Sequence, residues 1–374
     1  MTALYIHVPW CIKKCPYCDF NSHQQTAELP EIQYVDALIN DLDHDLSIFP
    51  RPTLSSIFIG GGTPSLFSAG AYARLFDAIA QRMAWPAELE ITLEANPGSV
   101  EQQRFYDYRA IGINRLSLGI QSFNPAHLKS LARAHDDKSA HLAIKAARRA
   151  KFDRINLDLM YALPEQSVQQ GLDDLKTAIS YQPEHLSWYQ LTIEPNTVFY
   201  KQRPSLPAED VMHDLEDAGL SLLDQNNYQR YEISAFCRNN QVSKHNLNYW
   251  MFGDYYGIGA GAHGKLTCTN THVVYRTQKQ RQPRDYLNSH KSHGNVPVAV
   301  SAKDLVFEFM LNTSRLEQWI PLDLFAKTTG LGLEALMPGL VKAESLGMIQ
   351  RNATHWQVLP FGRRFTNDLQ ALFL

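Results

Sequence analysis

Cys11, Cys15 and Cys18 fall within one short run, Cys-Ile-Lys-Lys-Cys-Pro-Tyr-Cys, directly after an apolar segment that ends at Pro9. Three thiolates at this spacing can hold three corners of a cubane iron–sulfur cluster, which asks for four ligands. The fourth iron then has no cysteine near it in sequence and is open to a small molecule. Cys237 and Cys268 stand alone and read as small buried hydrophobes. Cysteines crowded into one loop suit a reducing compartment better than a disulfide scaffold.

Other chemistry-bearing residues recur where β-branched runs end. Gly60-Gly61-Gly62-Thr63-Pro64 would let backbone approach a ligand closely and present N–H groups to it. The run lacks the Gly-Lys-Ser/Thr ending of a nucleotide-hydrolase loop and is not a dinucleotide fingerprint. Glu94 near that loop suits an ammonium or ribose hydroxyls. Arg133 suits a carboxylate as a two-pronged donor, although an arginine on a helix after a strand is commonly solvated. Asp158 would accept from ribose hydroxyls, and Gln121 and Gln190 hold equivalent strand-end positions. A ligand with an amino acid head and a nucleoside tail would use this set. Taken singly, each residue is equally well a cap or a turn.

Elements must bring these residues together. Strands are expected at Leu4–Val8, Ser56–Ile59, Leu89–Leu93, Arg115–Gly119, Arg154–Leu159 and Leu186–Leu191. Helical periodicity fills Glu31–Leu46, Ala69–Met83, Val100–Ala110, Ala140–Ala150 and Val168–Ile179. Strict alternation implies an α/β fold with a parallel sheet, here a partial (β/α)6 TIM-like barrel whose strand ends share one mouth. The expected organisation is a barrel core over 1–235, a connecting segment over 236–300 and a winged-helix-like domain over 301–374. That last unit reads as helices to Asn312, at Leu322–Thr328 and Glu334–Ser345, a hairpin of Met348–Gln350 and His355–Leu359, and a final helix at Arg363–Leu374.

Of 374 residues, 44% are hydrophobic and 20% charged, enough for a large core and a second smaller one. A net charge of -3, and seven basic against seven acidic residues in 301–374, argue against a nucleic-acid binder. Leu4–Pro9 is too short and too interrupted for a signal peptide. No apolar run reaches the ~18 residues of a membrane span. A cytoplasmic protein, peripheral to membranes at most, is expected.

Cys11-x3-Cys15-x2-Cys18, with Tyr17 before the last cysteine, resembles the signature of radical S-adenosylmethionine proteins. Tyr5-Ile6-His7-Val8-Pro9-Trp10-Cys11, Gly60–Pro64, Glu94-Ala95-Asn96-Pro97, Gly119-Ile120-Gln121-Ser122-Phe123 and Asn156-Leu157-Asp158-Leu159-Met160 narrow the likeness. They are similar to the family of oxygen-independent coproporphyrinogen dehydrogenases and haem chaperones, over essentially the whole chain. The resemblance implies a [4Fe–4S] cluster on Cys11, Cys15 and Cys18, with S-adenosylmethionine chelating the open iron. It implies Gly61, Gly62 and Thr63 at the methionine moiety, and Glu94 and Arg133 at its amino acid end. Gln121 and Asp158 would serve the ribose and Tyr17 the adenine, while Tyr5 would lie near the cluster and orient a porphyrin-like ligand.

Within the family, dehydrogenases carry a fourth cysteine where Phe20 stands, and a longer segment before the cluster, which here starts at residue 11. His245-Asn246-Leu247-Asn248-Tyr249-Trp250 resembles a motif of the haem-chaperone branch. Imidazole is a common haem iron ligand, and Tyr249 and Trp250 would stack on a porphyrin; packing between barrel and C-terminal domain explains the motif equally well. His263, within Gly259-Ala260-Gly261-Ala262-His263-Gly264, is a second candidate ligand, although a glycine-rich turn explains that stretch equally well. Arg276, Lys279, Arg281 and Arg284 would meet haem propionates or an acidic partner, or form a wet surface. The resemblance therefore implies haem as cargo, an acceptor protein and an electron donor such as a flavodoxin or ferredoxin. The alternative is oxidation of coproporphyrinogen III by the same radical machinery.

Overall fold

β1 (Thr2–Val8), β2 (Leu54–Gly61), β3 (Glu90–Ala95), β4 (Arg115–Gln121), β5 (Arg154–Tyr161) and β6 (His185–Gln190) pair in parallel in chain order. They are seen in a computed structural model that describes residues 2–50, 53–289, 294 and 296–374, with 99–101 described by backbone alone. Between the strands run α1 (Glu31–Ile48), α2 (Ala69–Ala80), α3 (Ser99–Ala110), α4 (Asp137–Arg149) and α5 (Val168–Ser180). Their starts are written in the sequence. Ser68 and Asp136 accept from the backbone N–H groups of Ala71 and Ser139, and Ser167 with Gln170 closes a capping box.

Alternate strand residues point to opposite faces. Ile57, Ile59, Leu116, Leu118, Leu157 and Leu159 belong to the main core, which also takes in buried residues of the covering helices. The opposite parity supplies Glu94, Ser117, Asp158 and Ser187, which line the lumen at its mouth. Parity thus turns one strand into both wall and site.

The sheet is larger than expected, with twelve strands among the described residues. After β6 come β7 (Gln229–Glu232) and β8 (Ala235–Cys237), which extend one edge antiparallel. On the other edge β9 (Tyr255–Ile258) pairs parallel with β1 as a seventh parallel strand. β10 (His263–Thr267), β11 (Val274–Gln278) and β12 (Val298–Ala299) follow antiparallel. Among the described residues, 236–300 thus supply four whole strands of the sheet, β9 to β12, where the sequence suggested a connecting segment. Short strands broken by Gly257, Gly259 and Gly261, with a buried Lys265 in their midst, hide the period-two signal. No pairing closes β7 onto β12 among the described residues, so the barrel is partial.

Residues beyond 300 form helices Ala302–Thr313, Asp323–Thr329 and Met337–Ser345. A small sheet of Ile349–Arg351, His355–Val358 and Ile320–Pro321 follows the winged-helix order. The single last helix expected at Arg363–Leu374 is instead two short ones, Pro360–Arg364 and Thr366–Ala371, interrupted at Phe365. A second core around Phe309, Phe325, Leu340 and Trp356 also takes in Phe252 and Val274, so this unit is packed onto the sheet extension. No helix among the described residues is long and apolar enough to cross a membrane.

Candidate metal and cofactor site

The carboxyl ends of β1–β6 open on a cavity of about 420 Å³. Cys11, Cys15, Cys18, Tyr17, Gly61, Gly62, Thr63, Glu94, Gln121, Arg133 and Asp158 all line it. Residues far apart in sequence meet there because each follows a parallel strand or lies in its carboxyl half.

The cysteine loop is fixed at its base and stitched at its far end. Trp10–Cys11 and His23–Gln24 make a two-residue parallel pair. Lys14 Nζ donates to the carbonyls of Phe20 and Ser22 at 3.2 Å each. The Asn21 carboxamide donates to the carbonyls of Ala260 (2.9 Å) and Arg281 (2.8 Å). His7 Nε2 lies 2.8 Å from the Asn21 carbonyl and Nδ1 lies 2.9 Å from the Tyr5 hydroxyl. A carbonyl only accepts, so Nε2 carries the proton and Tyr5 donates to Nδ1. Burial pushes the thiols of Cys11 and Cys18 up; a metal would take the place of the proton there.

The glycine loop follows β2. Gly61 has φ +116 and a Cβ there would meet the His7 ring at 2.6 Å, while a Cβ on Gly62 would lie 2.5 Å from the Trp10 carbonyl oxygen and 3.0 Å from Cys11 Sγ. Side chains are thus barred where backbone must pass close to the cysteines. Gly61 N–H donates to Glu94 Oε2 at 3.1 Å. Burial, assisted by the charge of Asp158, raises the Glu94 carboxyl to about 8. Asp158 accepts from Ser117 (3.0 Å) and Asn156 (2.7 Å), and Gln121 Oε1 accepts from Tyr189 (2.8 Å).

Arg133, expected to face a ligand carboxylate, lines the cavity rather than standing in solvent. Its Nη2 donates to Asn96 Oδ1 (2.7 Å) and the Gly119 carbonyl (2.8 Å), and its Nη1 to Cys15 Sγ (3.5 Å) and Tyr17 (3.4 Å). Its Nε is buried without a partner among the described residues. Asn96 also donates to Thr63 Oγ1 at 3.0 Å, so it joins the glycine loop to the arginine. Sequence reasoning placed Asn96 in the strand-end run Glu94-Ala95-Asn96 but gave it no partner. Tyr189, Ser117 and Ser187 also line the cavity; their strand parity was the available signal.

Two expected site residues stand outside the cavity lining. Tyr5 is half-buried in the lumen below the cavity lining, 6.3 Å from the Phe58 ring and 6.4 Å from the His245 ring. His245 sits near the amino ends of the strands, away from the mouth, and is 1% exposed. Its Nδ1 is 3.0 Å from Ser56 Oγ and its Nε2 2.8 Å from the Tyr249 hydroxyl, and burial lowers it to about 3. With both nitrogens engaged, His245 has none free for haem iron in this arrangement. Tyr249 packs edge-on to Tyr255 at 4.5 Å, and Trp250 carries Arg315 over one face at 4.3 Å. The sequence could show the motif but not which end of the barrel it occupies.

The basic group also separates. Arg276 pairs with Glu308 at 2.6 Å, and Lys279 is buried between Asp41 (2.6 Å) and Asp45 (2.7 Å). Arg281, Arg284 and His263 are exposed.

Comparison with known proteins places this geometry. The radical SAM superfamily profile matches residues 5–178 and the HemN C-terminal domain profile residues 300–365. The heme chaperone HemW of Escherichia coli is 46% identical over all of this chain and 98% of its own length. The chain belongs to the HemW family. The HemW of Bacillus subtilis is 32% identical over 100% of this chain and 99% of its own. The solved structure of E. coli coproporphyrinogen III oxidase (HemN), a radical SAM enzyme, shares the fold of this HemW-family chain. Its TM-score is 0.82 at 22% identity, covering 100% of this chain and 89% of that one.

Membership in the radical SAM superfamily implies a [4Fe–4S] cluster and S-adenosylmethionine as cofactors, and the donor set fits them. Three thiols border one cavity with a glycine cradle behind Cys11. No three His, Cys, Asp or Glu side chains among the described residues converge on a single-ion position; a cubane, held through separate irons, asks for wider spacing. The buried Glu94 carboxyl and the partnerless Arg133 Nε suit the amino and carboxylate ends of a ligand larger than an ion.

Proposed function

We propose that this chain binds haem and hands it to an acceptor protein, with a [4Fe–4S] cluster held by Cys11, Cys15 and Cys18 and with S-adenosylmethionine in the mouth cavity. The observation that carries this reading is full-length identity of 46% to a protein named for haem chaperoning. When bound, the cluster supplies an electron and an iron site open to the nucleoside's amino acid end. Gly61, Gly62 and Thr63 would lie along the methionine moiety, Glu94 and Arg133 would hold its amino and carboxylate groups, Gln121 and Asp158 the ribose, and Tyr17 the adenine. Tyr5 acts through His7 on the loop that carries the cysteines. The setting is cytoplasmic, with a flavodoxin or ferredoxin as electron donor.

A second reading, oxidation of coproporphyrinogen III, is favoured by a cavity that keeps every part of the cofactor set. Phe20, where the dehydrogenases carry cysteine, counts against it. One experiment separates the two. Anaerobically reconstituted protein is titrated with ferric haem and offered coproporphyrinogen III in parallel. A stoichiometric Soret change with haem passing to an added apo-haemoprotein is expected, without porphyrinogen turnover. A flat Soret titration of the cluster-loaded protein would rule the haem reading out.

A further inference from the structure

With His245 committed to Ser56 and Tyr249, the haem-binding reading lacks an iron ligand. We propose that haem docks on a rim patch beside the cysteine loop, with His263 ligating the iron, Arg281 and Arg284 facing the propionates, and Phe20 covering the apolar edge. The inference rests on the haem-binding reading and adds a site to it.

The patch is assembled by one stitch and one ladder. The Asn21 side chain is bonded to the carbonyls of Ala260 and Arg281, which sets Phe20 against that part of the sheet extension. A Cβ on Gly261 would lie 2.3 Å from Asn21 Nδ2, so the two segments touch. In the ladder His263 pairs with Gln278, Lys279 N–H donates to the Ala262 carbonyl at 2.9 Å, and Gly261 N–H to that of Gln280 at 2.8 Å. Arg281 comes directly after this ladder, and its own carbonyl takes the Asn21 hydrogen bond.

The chemistry along the strip matches a haem end for end. Phe20 is 58% exposed among the described residues, a large apolar ring on the surface. The His263 imidazole is exposed and makes no hydrogen bond among the described residues. It differs in both respects from His245. Arg276 and Lys279 are held by Glu308 and by Asp41 with Asp45, which leaves the exposed Arg281 and Arg284 for two carboxylates. Phe20 and Ser22 also line the cofactor cavity. The stretch from Cys18 to Ser22 is thus a wall common to both sites, and a filled cavity would hold the haem patch in shape.

The test uses full-length, cluster-loaded protein, ferric haem and metal-free protoporphyrin IX. His263→Ala should lose the imidazole-ligated electron paramagnetic resonance signature and bind haem at least about tenfold more weakly, while its protoporphyrin IX affinity and iron content stay as in the parent. Arg281→Glu should weaken both porphyrins, and removal of the cluster should speed haem release. If His263→Ala kept the parent spectrum and affinity, or if His23→Ala or His245→Gln lost the signature in its place, the assignment would be overturned. A parent protein that bound no haem would remove the wider reading as well.

Discussion

Glu94 shows how one side chain ties pH to cofactor binding. Its carboxyl, raised to about 8 by burial, is mostly neutral at pH 7, whereas an amino group held beside it favours the carboxylate. Affinity for S-adenosylmethionine should therefore rise as pH climbs toward 8, and the rise in the parent should exceed that in Glu94→Gln by up to one proton. Calorimetric titration from pH 6.5 to 8.5 measures the difference; parallel slopes would remove Glu94 from the site. Without ligand the sign is opposite for stability. A raised carboxyl stabilises the fold below its unfolded value, and that contribution is lost as pH rises through about 8. Glu94 was legible because it ends a strand. The burial of Arg133 was not, since it follows from the chain beyond Pro125–Ser130 folding back through Ala132 at φ 50, which periodicity does not encode.

At the scale of elements, parallel strands and helices were readable from alternation and capping residues, but helix–strand contact distances were not. The helix Glu209–Gln225 passes so close to β6 that a Cβ on Gly219 would stand 2.1 Å from the Trp188 ring. Gly219→Val should destabilise the protein by roughly 1–3 kcal/mol through overpacking, read as a lower urea midpoint with an unchanged slope. Gly219→Val combined with Trp188→Leu should recover part of the loss, and no recovery would mean that the ring is not the obstacle. The strands over 255–278 escaped detection for a related reason. Their glycines serve close approaches, such as Gly257 against the His263 backbone, and their polar residues are satisfied by partners distant in sequence.

Across the whole molecule, Lys279 joins the sheet extension to α1. Its ammonium lies between Asp41 and Asp45, and Tyr286 donates to Asp41 at 2.7 Å. Tyr34 on the same helix donates to the His7 carbonyl (2.7 Å) and accepts from Ala260 N–H (2.8 Å). The charge cluster thus stands behind the backbone that anchors Asn21 and the cysteine loop. Lys279→Met leaves buried acids without a cation and should cost about 3–5 kcal/mol. The deficit should be greatest near pH ~7.5 and shrink toward pH ~5, because burial raises the Asp45 carboxyl to about 6 and its protonation removes the unpaired charge. Chemical denaturation at both pH values checks this; a deficit independent of pH would argue for lost packing alone.

The sequence by itself determined the three cysteines, the glycine loop, the strand–helix alternation and the polar residues at strand ends, because each is a local pattern of residue type and spacing. Tertiary structure alone decided that Arg133 turns inward to Cys15, that His245 is enclosed near the amino ends of the strands, and that Lys279 is buried while Arg281 stays in water. Those outcomes depend on which distant groups share a face and how much water remains between them.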